Sequence, residues 1–288
     1  MQLDKARVLP IIKAALKEDI GTGDITTTAF VEKTASSKAT IIAREDCVVC
    51  GLTIAEWIMS QVDFSVRFKP NCDDGHLLGG GKELAYLEGH TASILRAERT
   101  MINFLSFLSA IATTTRQFVE KVRPYGVKIM DTRKTLPLLR YLEKYAVSVG
   151  GGTNHRQGLY DQVLIKDNHI KAVRLPGRHV TCLKDIVEQA RRRSPKGARI
   201  EIEVNTVEEF SDALAGKPDI IMLDNMTPQN VRSCVERRRL AKVKPFLEVS
   251  GGITLDTVEE FARAKPDMIS AGALTASVKS IDMSLDIV

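Results

Sequence analysis

After Gly126 the chain settles into one recurring unit: a short apolar run of strand type, a polar loop, then a helical stretch. The runs fall at 127–131, 146–149, 163–166, 200–204, 219–223, 246–249 and 267–270, and none is joined to the next by a hairpin signal. Strands separated by helices return parallel to one another, so the pattern predicts a parallel sheet and, most simply, an α/β barrel. Two of the units share a template. Thr206-Val-Glu-Glu-Phe210 leads to Lys217-Pro-Asp-Ile-Ile221, and Thr257-Val-Glu-Glu-Phe261 leads to Lys265-Pro-Asp-Met-Ile269, as successive repeats of one barrel unit would. Seven runs, one fewer than a closed eight-stranded barrel uses, leave closure open.

The first part of the chain follows a different pattern. Val8, Ile11, Ile12, Ala15 and Leu16 recur at helical spacing, and the turn-rich stretch 19–24 follows them. Short β-type runs at 39–43, 64–68 and 83–87, a helix around 54–62 and the cluster Gly79-Gly80-Gly81 predict an α+β domain. A long helix over 91–122, ending at Pro124-Tyr125-Gly126, links this region to the barrel.

With 288 residues, 44% hydrophobic and 27% charged, the chain has the composition of an ordinary globular protein. No apolar run is long enough to span a bilayer, and the N-terminus lacks the features of a signal peptide, so the expected location is cytoplasmic, with no membrane partner. The five cysteines are odd in number, and Cys72, Cys182 and Cys234 are scattered, which argues against a disulfide framework. Cys47 and Cys50 form a CxxC, but inside a strand-type run their side chains point to opposite faces, and no second pair follows. A formal charge of +5 suits either nucleic acid or a small anionic substrate. The densest basic runs, 191–193 and 237–239, sit late in predicted helices without interleaved aromatics, which reads as a solvated face and not as a nucleic-acid surface.

Parallel α/β barrels do their chemistry at the C-terminal ends of the strands, and here those ends are charged. The first is followed by Asp131-Thr132-Arg133-Lys134-Thr135 and the second by Gly150-Gly151-Gly152-Thr153-Asn154-His155-Arg156. The third ends in Lys166-Asp167-Asn168-His169. The next two end near Glu203 and Asp224, and the last two run into Ser250-Gly251-Gly252 and Ala271-Gly272-Ala273. Arg offers a planar fork for carboxylate or phosphate, Lys a mobile point charge, and small residues let backbone N–H groups approach an oxyanion. Cations at several separate tips imply a ligand with several anionic groups, while two carboxylates among them suit a divalent metal or developing positive charge. Glu201 and Glu203 share one strand face by alternation, so periodicity alone does not choose between them.

The chain resembles the quinolinate phosphoribosyltransferase family over nearly its whole length. The resemblance rests on Glu18-Asp-Ile-Gly-Thr-Gly-Asp-Ile-Thr-Thr27, Ala97-Glu-Arg-Thr100, Asp131-Thr-Arg-Lys-Thr135, Asn154-His-Arg156 with Gly158-Leu159, and Ile165-Lys-Asp-Asn-His169. It implies an incomplete seven-stranded α/β barrel over 113–273 and an N-terminal open α/β sandwich domain over 1–112, joined by the returning C-terminal segment 274–288. It also implies a homodimer in which Arg99 is contributed to the neighbouring subunit's site. By resemblance, Thr132, Arg133, Lys134, His155, Arg156 and Lys166 surround quinolinate and the phosphoribosyl donor. Glu203 and Asp224 stand near the ribose and the magnesium-bound pyrophosphate, which favours Glu203 over Glu201. Ser250, Gly251, Gly252, Ala271, Gly272 and Ala273 hold the 5′-phosphate. Lys134, Lys166, Glu203 and Asp224 are the expected catalytic set, with Mg2+ as the cofactor, held by Glu203 and Asp224 directly or through pyrophosphate and water. One departure is visible: many members carry a histidine after Leu274-Thr275, and this chain has Ala276.

The implied activity is type II phosphoribosyl transfer to quinolinate with loss of CO2, giving nicotinate mononucleotide for NAD biosynthesis. Competing readings are a phosphoribosyltransferase of the same architecture acting on nicotinate or serving molybdate-related metabolism, a Schiff-base aldolase using Lys166, and a nucleic-acid-binding protein. The number of cations favours a dicarboxylate.

Overall fold

The computed structural model describes residues 2–174 and 182–288. The chain forms two compact units: 1–116 with 136–151 and 277–288, and 117–135 with 152–276. In chain order the elements up to the linking helix are α1 (Lys5–Ile20), α2 (Ile25–Phe30), β1 (Ser36–Ala43), β2 (Cys47–Val48), α3 (Leu52–Val62), β3 (Arg67–Pro70), β4 (Leu77–Leu78), β5 (Lys82–His90) and α4 (Thr91–Val122). Then come β6 (Lys128–Met130), α5 (Arg140–Val149), β7 (Val163–Ile165), α6 (Asp167–Val173), α7 (Leu183–Arg193), β8 (Ile200–Val204) and α8 (Val207–Ala215). The chain ends with β9 (Ile220–Asp224), α9 (Pro228–Leu240), β10 (Phe246–Ser250), α10 (Val258–Ala262), β11 (Met268–Ser270), α11 (Ala273–Ala276) and β12 (Met283–Ile287).

In the first unit the main sheet is antiparallel, ordered β12-β1-β5-β3, so the last strand of the chain closes one edge against β1. Ala39, Ile41 and Ala43 alternate along β1 into the core, the period-two signature of a sheet with one buried face. Helix α1 starts where the Asp4 side chain accepts a hydrogen bond from the Ala6 N–H, and it buries Val8, Ile12 and Leu16 at four-residue spacing. Asp74 caps α3 from outside the helix, accepting from the Gly51 and Leu52 N–H groups at 2.9–3.0 Å, and also from the Tyr145 hydroxyl at 2.7 Å. The cysteines at 47 and 50 are buried and unpaired, and burial pushes the Cys47 thiol up to about 11, which leaves it a weak nucleophile and a weak metal ligand.

The second unit is built on a parallel sheet ordered β6-β11-β10-β9-β8-β7. A single parallel bridge from Met130 to Thr153 extends the β6 edge, so the seventh strand position is occupied by one residue rather than by a run. The expected strand at 146–149 is instead the last turns of α5, and that segment belongs to the first unit. Its Ala-Val-Ser-Val alternation imitates a strand, but the helix begins at Arg140 and buries Leu142, Glu143, Lys144, Tyr145, Ala146 and Val147. The boundary expected at 112/113 lies inside α4, which continues unbroken to Val122.

The repeated Lys-Pro-Asp turns are alike in three dimensions. Lys217 and Lys265 both take left-handed φ values, 56° and 57°, turning the chain from helix to strand. Asp219 then accepts from the Ile200 N–H at 2.6 Å and pairs with Arg191 at 2.8 Å. Asp267 does the same with the Leu247 N–H at 2.7 Å and with Arg238. Each basic run thus lends one arginine to anchor the next strand's entry. The other arginines lie in the last turns of α7 and α9, where cations complement the helix dipole.

Candidate active site

Strand register places the functional side chains in layers on the inner side of the parallel sheet. Glu201 pairs with Ile220, Glu203 with Met222, and Ser250 with Asp224; in a parallel sheet such partners share a face. The opposite face carries Ile202, Val204, Ile221, Leu223, Leu247 and Val249, all buried. At the C-terminal ends of the strands a cavity of about 430 Å³ opens above the inner layer.

Cations line one part of this cavity. Arg133 and Lys134 follow β6, in a loop pinned by Thr132 Oγ1, which accepts from the Lys134 N–H at 3.0 Å, and by the Thr275 hydroxyl, which donates to the Lys134 carbonyl at 2.7 Å. The next loop is held from below: buried Asp131 accepts from Asn154 Nδ2 at 2.7 Å and from the His155 N–H at 2.8 Å, presenting Arg156 to the cavity. Arg156 is 8% exposed; burial and the neighbouring Arg133 lower its pKa, while Glu201 opposes that shift. His155 also lines the cavity. Its Nδ1 accepts from the Arg156 N–H at 2.7 Å, and its Nε2 lies 3.3 Å from both Glu201 and Glu248.

The acids come from β8 and β9. Lys166 Nζ is 3.4 Å from Glu203 Oε2. Burial raises the Glu203 carboxyl above the ordinary range, Lys166 pulls it down, and the nearby negative charge of Asp224 raises it. Asp224 Oδ2 accepts from Asn225 Nδ2 at 2.6 Å. The two carboxylates on adjacent strands supply hard oxygen donors of the kind Mg2+ takes.

The remaining wall is main chain. Ser250, Gly251, Gly252 and Gly272 line it, and Ala273 begins the short helix α11. At Gly251, with φ of 95°, a Cβ would lie 2.3 Å from Asn225 Oδ1 and 2.8 Å from the Asn225 nitrogen, so this tip must be glycine. Ala271 is buried, its N–H donating to the Met130 carbonyl at 3.0 Å, and it does not line the cavity. Ala276, where a histidine is expected by resemblance, is exposed at the end of α11. Arg99 is exposed on α4 in the first unit and borders another cavity with Asn103, Ser106 and the 280–283 segment.

Sequence reasoning passed over Glu248 and Gln162. Glu248 is a lone acid inside the apolar run 246–249, and alternation puts it on the same face as Ser250, a signal that was available. Gln162 joins the site through its side-chain bond to Glu201 and through its main-chain carbonyl, which accepts from Arg156 Nη1, and no local pattern announces either. Among the described residues, His155, Glu201 and Glu248 are the group of at least three metal-type donors whose ligand atoms all lie within 4.8 Å of one another.

An open parallel α/β barrel whose strand tips gather cations, two acids and glycine-rich turns defines a barrel protein that handles a polyanionic small molecule. The family models for the N-terminal and C-terminal domains of quinolinate phosphoribosyl transferase match residues 24–109 and 111–286. The chain belongs to the quinolinate phosphoribosyltransferase family. Over 99% of its length it is 41% identical to a Methanocaldococcus jannaschii protein named "Probable nicotinate-nucleotide pyrophosphorylase [carboxylating]", covering 98% of that protein. It is 39% identical to the nicotinate-nucleotide pyrophosphorylase (carboxylating) of Mycobacterium leprae, with 99% and 98% of the two chains covered. The solved nicotinate-nucleotide pyrophosphorylase of Francisella tularensis superposes with a TM-score of 0.91 at 36% identity, covering all of this chain and 98% of the other.

Proposed function

We propose that the chain transfers the phosphoribosyl group of phosphoribosyl pyrophosphate to the ring nitrogen of quinolinate, releasing pyrophosphate and CO2 and forming nicotinate mononucleotide for NAD biosynthesis. The observation that carries this reading is the meeting of Arg133, Lys134, Arg156 and Lys166 with Glu203 and Asp224 in one cavity. Arg133, Arg156 and the two lysines offer separate partners for two ring carboxylates and for the donor's phosphates.

The arginines orient the ring so that its nitrogen faces the anomeric carbon. The N–C bond forms as the bond to pyrophosphate breaks, and positive charge gathering on the ribose is stabilised by Glu203 and Asp224. Lys134 and Lys166 offset the charge of the departing group. Mg2+, held by Glu203 and Asp224 or by pyrophosphate beside them, would add Lewis-acid stabilisation of that leaving group. The ring nitrogen is now cationic. Its positive charge stabilises the electron pair left on the adjacent carbon when the carboxylate departs as CO2, and that pair then takes a proton from solvent. The main-chain N–H groups near Gly251, Gly252 and Gly272 suit the 5′-phosphate.

The reading includes a homodimer in which Arg99 completes the partner's site, and a cytoplasmic location; no helix among the described residues is long and apolar enough to cross a membrane. Pyrophosphate release from the purified protein, with donor, Mg2+ and either quinolinate or nicotinate, tests substrate choice. Release with quinolinate alone, abolished by a chelator and restored by Mg2+, is expected. Release with nicotinate alone would overturn the substrate assignment.

A further inference from the structure

Beneath the cavity floor a closed loop of contacts begins and ends on Arg156. Its backbone N–H donates to His155 Nδ1 at 2.7 Å, and His155 Nε2 meets Glu201 Oε2 at 3.3 Å. Glu201 Oε2 also accepts from Gln162 Nε2, and the main-chain carbonyl of Gln162 accepts from Arg156 Nη1 at 3.2 Å. The loop therefore holds both the backbone and the guanidinium of one arginine. Glu248, fully buried, lies 3.3 Å from the same imidazole nitrogen. Arg156 Nε is buried without an acceptor, a donor left for a ligand.

We infer that Glu201, Gln162 and His155, backed by Glu248, are positioning residues that set the guanidinium of Arg156 for one carboxylate of the pyridine substrate. His155 lines the cavity beside Arg156 and, through the contacts at its two ring nitrogens, also ties Arg156 to the buried acids. Nε2 of His155 faces both acids at 3.3 Å. Two buried acids around one imidazole offset the positive charge of the adjacent arginine, Glu201 from below and Glu248 at the cavity lining. A metal at these three donors is the weaker reading: the short contacts are already made to the imidazole, and the neighbouring Arg156 and Arg133 disfavour a dication. An arginine held at two points loses less freedom on binding than a free one, so the loop contributes to affinity for the ring.

This inference rests on the quinolinate reading, and its test separates the two. Steady-state kinetics would be measured on the parent, Glu201→Leu, Glu201→Gln and Gln162→Leu, varying each substrate, with thermal unfolding in parallel. Gln162 is only half-buried, so Gln162→Leu breaks the loop even where Glu201→Leu fails to fold. The expected result for Gln162→Leu and Glu201→Leu is a KM for quinolinate raised about tenfold, with that for the donor unchanged and partial recovery in Glu201→Gln. In an Arg156→Ala background, Gln162→Leu is expected to add no further change. Equal increases in both KM values, or an undiminished effect of Gln162→Leu without Arg156, would overturn the positioning role. A parent protein that does not turn over quinolinate would overturn the functional reading instead.

Discussion

Glu203 illustrates how a residue's place in a strand decides its chemistry. One layer lower, Glu201 is likewise flanked by β-branched apolar residues but is fully buried, where burial first and Glu248 second push its carboxyl up. The Ile-Glu-Ile-Glu-Val alternation revealed that both acids share a face, but depth along the barrel axis appears only once the strands are in register. Glu203→Gln keeps the shape and removes the charge; kcat is expected to fall by about 10²–10³ with unfolding unchanged, as when other preorganised charges are removed, and single-turnover kinetics with circular dichroism checks both. At Gly251 the expected effect is structural and local. Gly251→Ala combines a φ of 95° with backbone contact at 2.8 Å, so a loss of roughly 1–3 kcal/mol in stability and a raised KM for the phosphoribosyl donor are expected, read by denaturant unfolding and kinetics.

At the scale of elements, short runs of apolar residues marked the strands β8 and β10, which are buried on both faces, and misled at 146–149. That segment shows the limit of a four-residue window: a strand and the last turn of a helix both accommodate Ala-Val-Ser-Val, and the difference lies in the six residues before it. Junctions between elements depend on polar contacts that pattern does not show. Asp63, just past the end of α3, accepts from Ser65 and from Ser93 near the start of α4, and it sits 3.1 Å from His90. The Ser65 hydroxyl above all, with Ser93 and His90, holds its carboxyl well below the usual aspartate range against the opposing effect of burial. A depressed carboxyl contributes stability above its unfolded pKa, near 4, and loses that contribution as pH falls through the folded value. Asp63→Asn is therefore expected to cost about 1 kcal/mol at pH 7, a figure kept modest by solvent screening. Urea unfolding across pH should show that difference shrinking below pH 4; a gap constant with pH would contradict the assignment.

For the whole molecule, the alternation of strands and helices was enough to predict a parallel barrel, and the charged tips were enough to predict a polyanion site. The expected boundary at 112/113 lies near the division at 116/117, whereas 136–151 belongs with the first unit although it lies between two parts of the second, a placement the sequence does not show. The proposed dimer has its own test. If Arg99 serves the partner's site, mixing inactive Arg99→Ala with inactive Glu203→Gln should rebuild one intact site per mixed dimer, giving roughly a quarter of parental activity for random exchange of a symmetric pair. No recovery despite demonstrated subunit exchange would remove Arg99 from that role.

The central claim is that transfer and decarboxylation are coupled at the strand-tip cavity. The most direct test is to supply quinolinate labelled at the carboxylate beside the ring nitrogen, with Mg2+, and to count labelled CO2 against pyrophosphate with and without the phosphoribosyl donor. One CO2 per pyrophosphate, and none without the donor, is the expected result. Labelled CO2 in the donor's absence, or pyrophosphate without CO2, would contradict it.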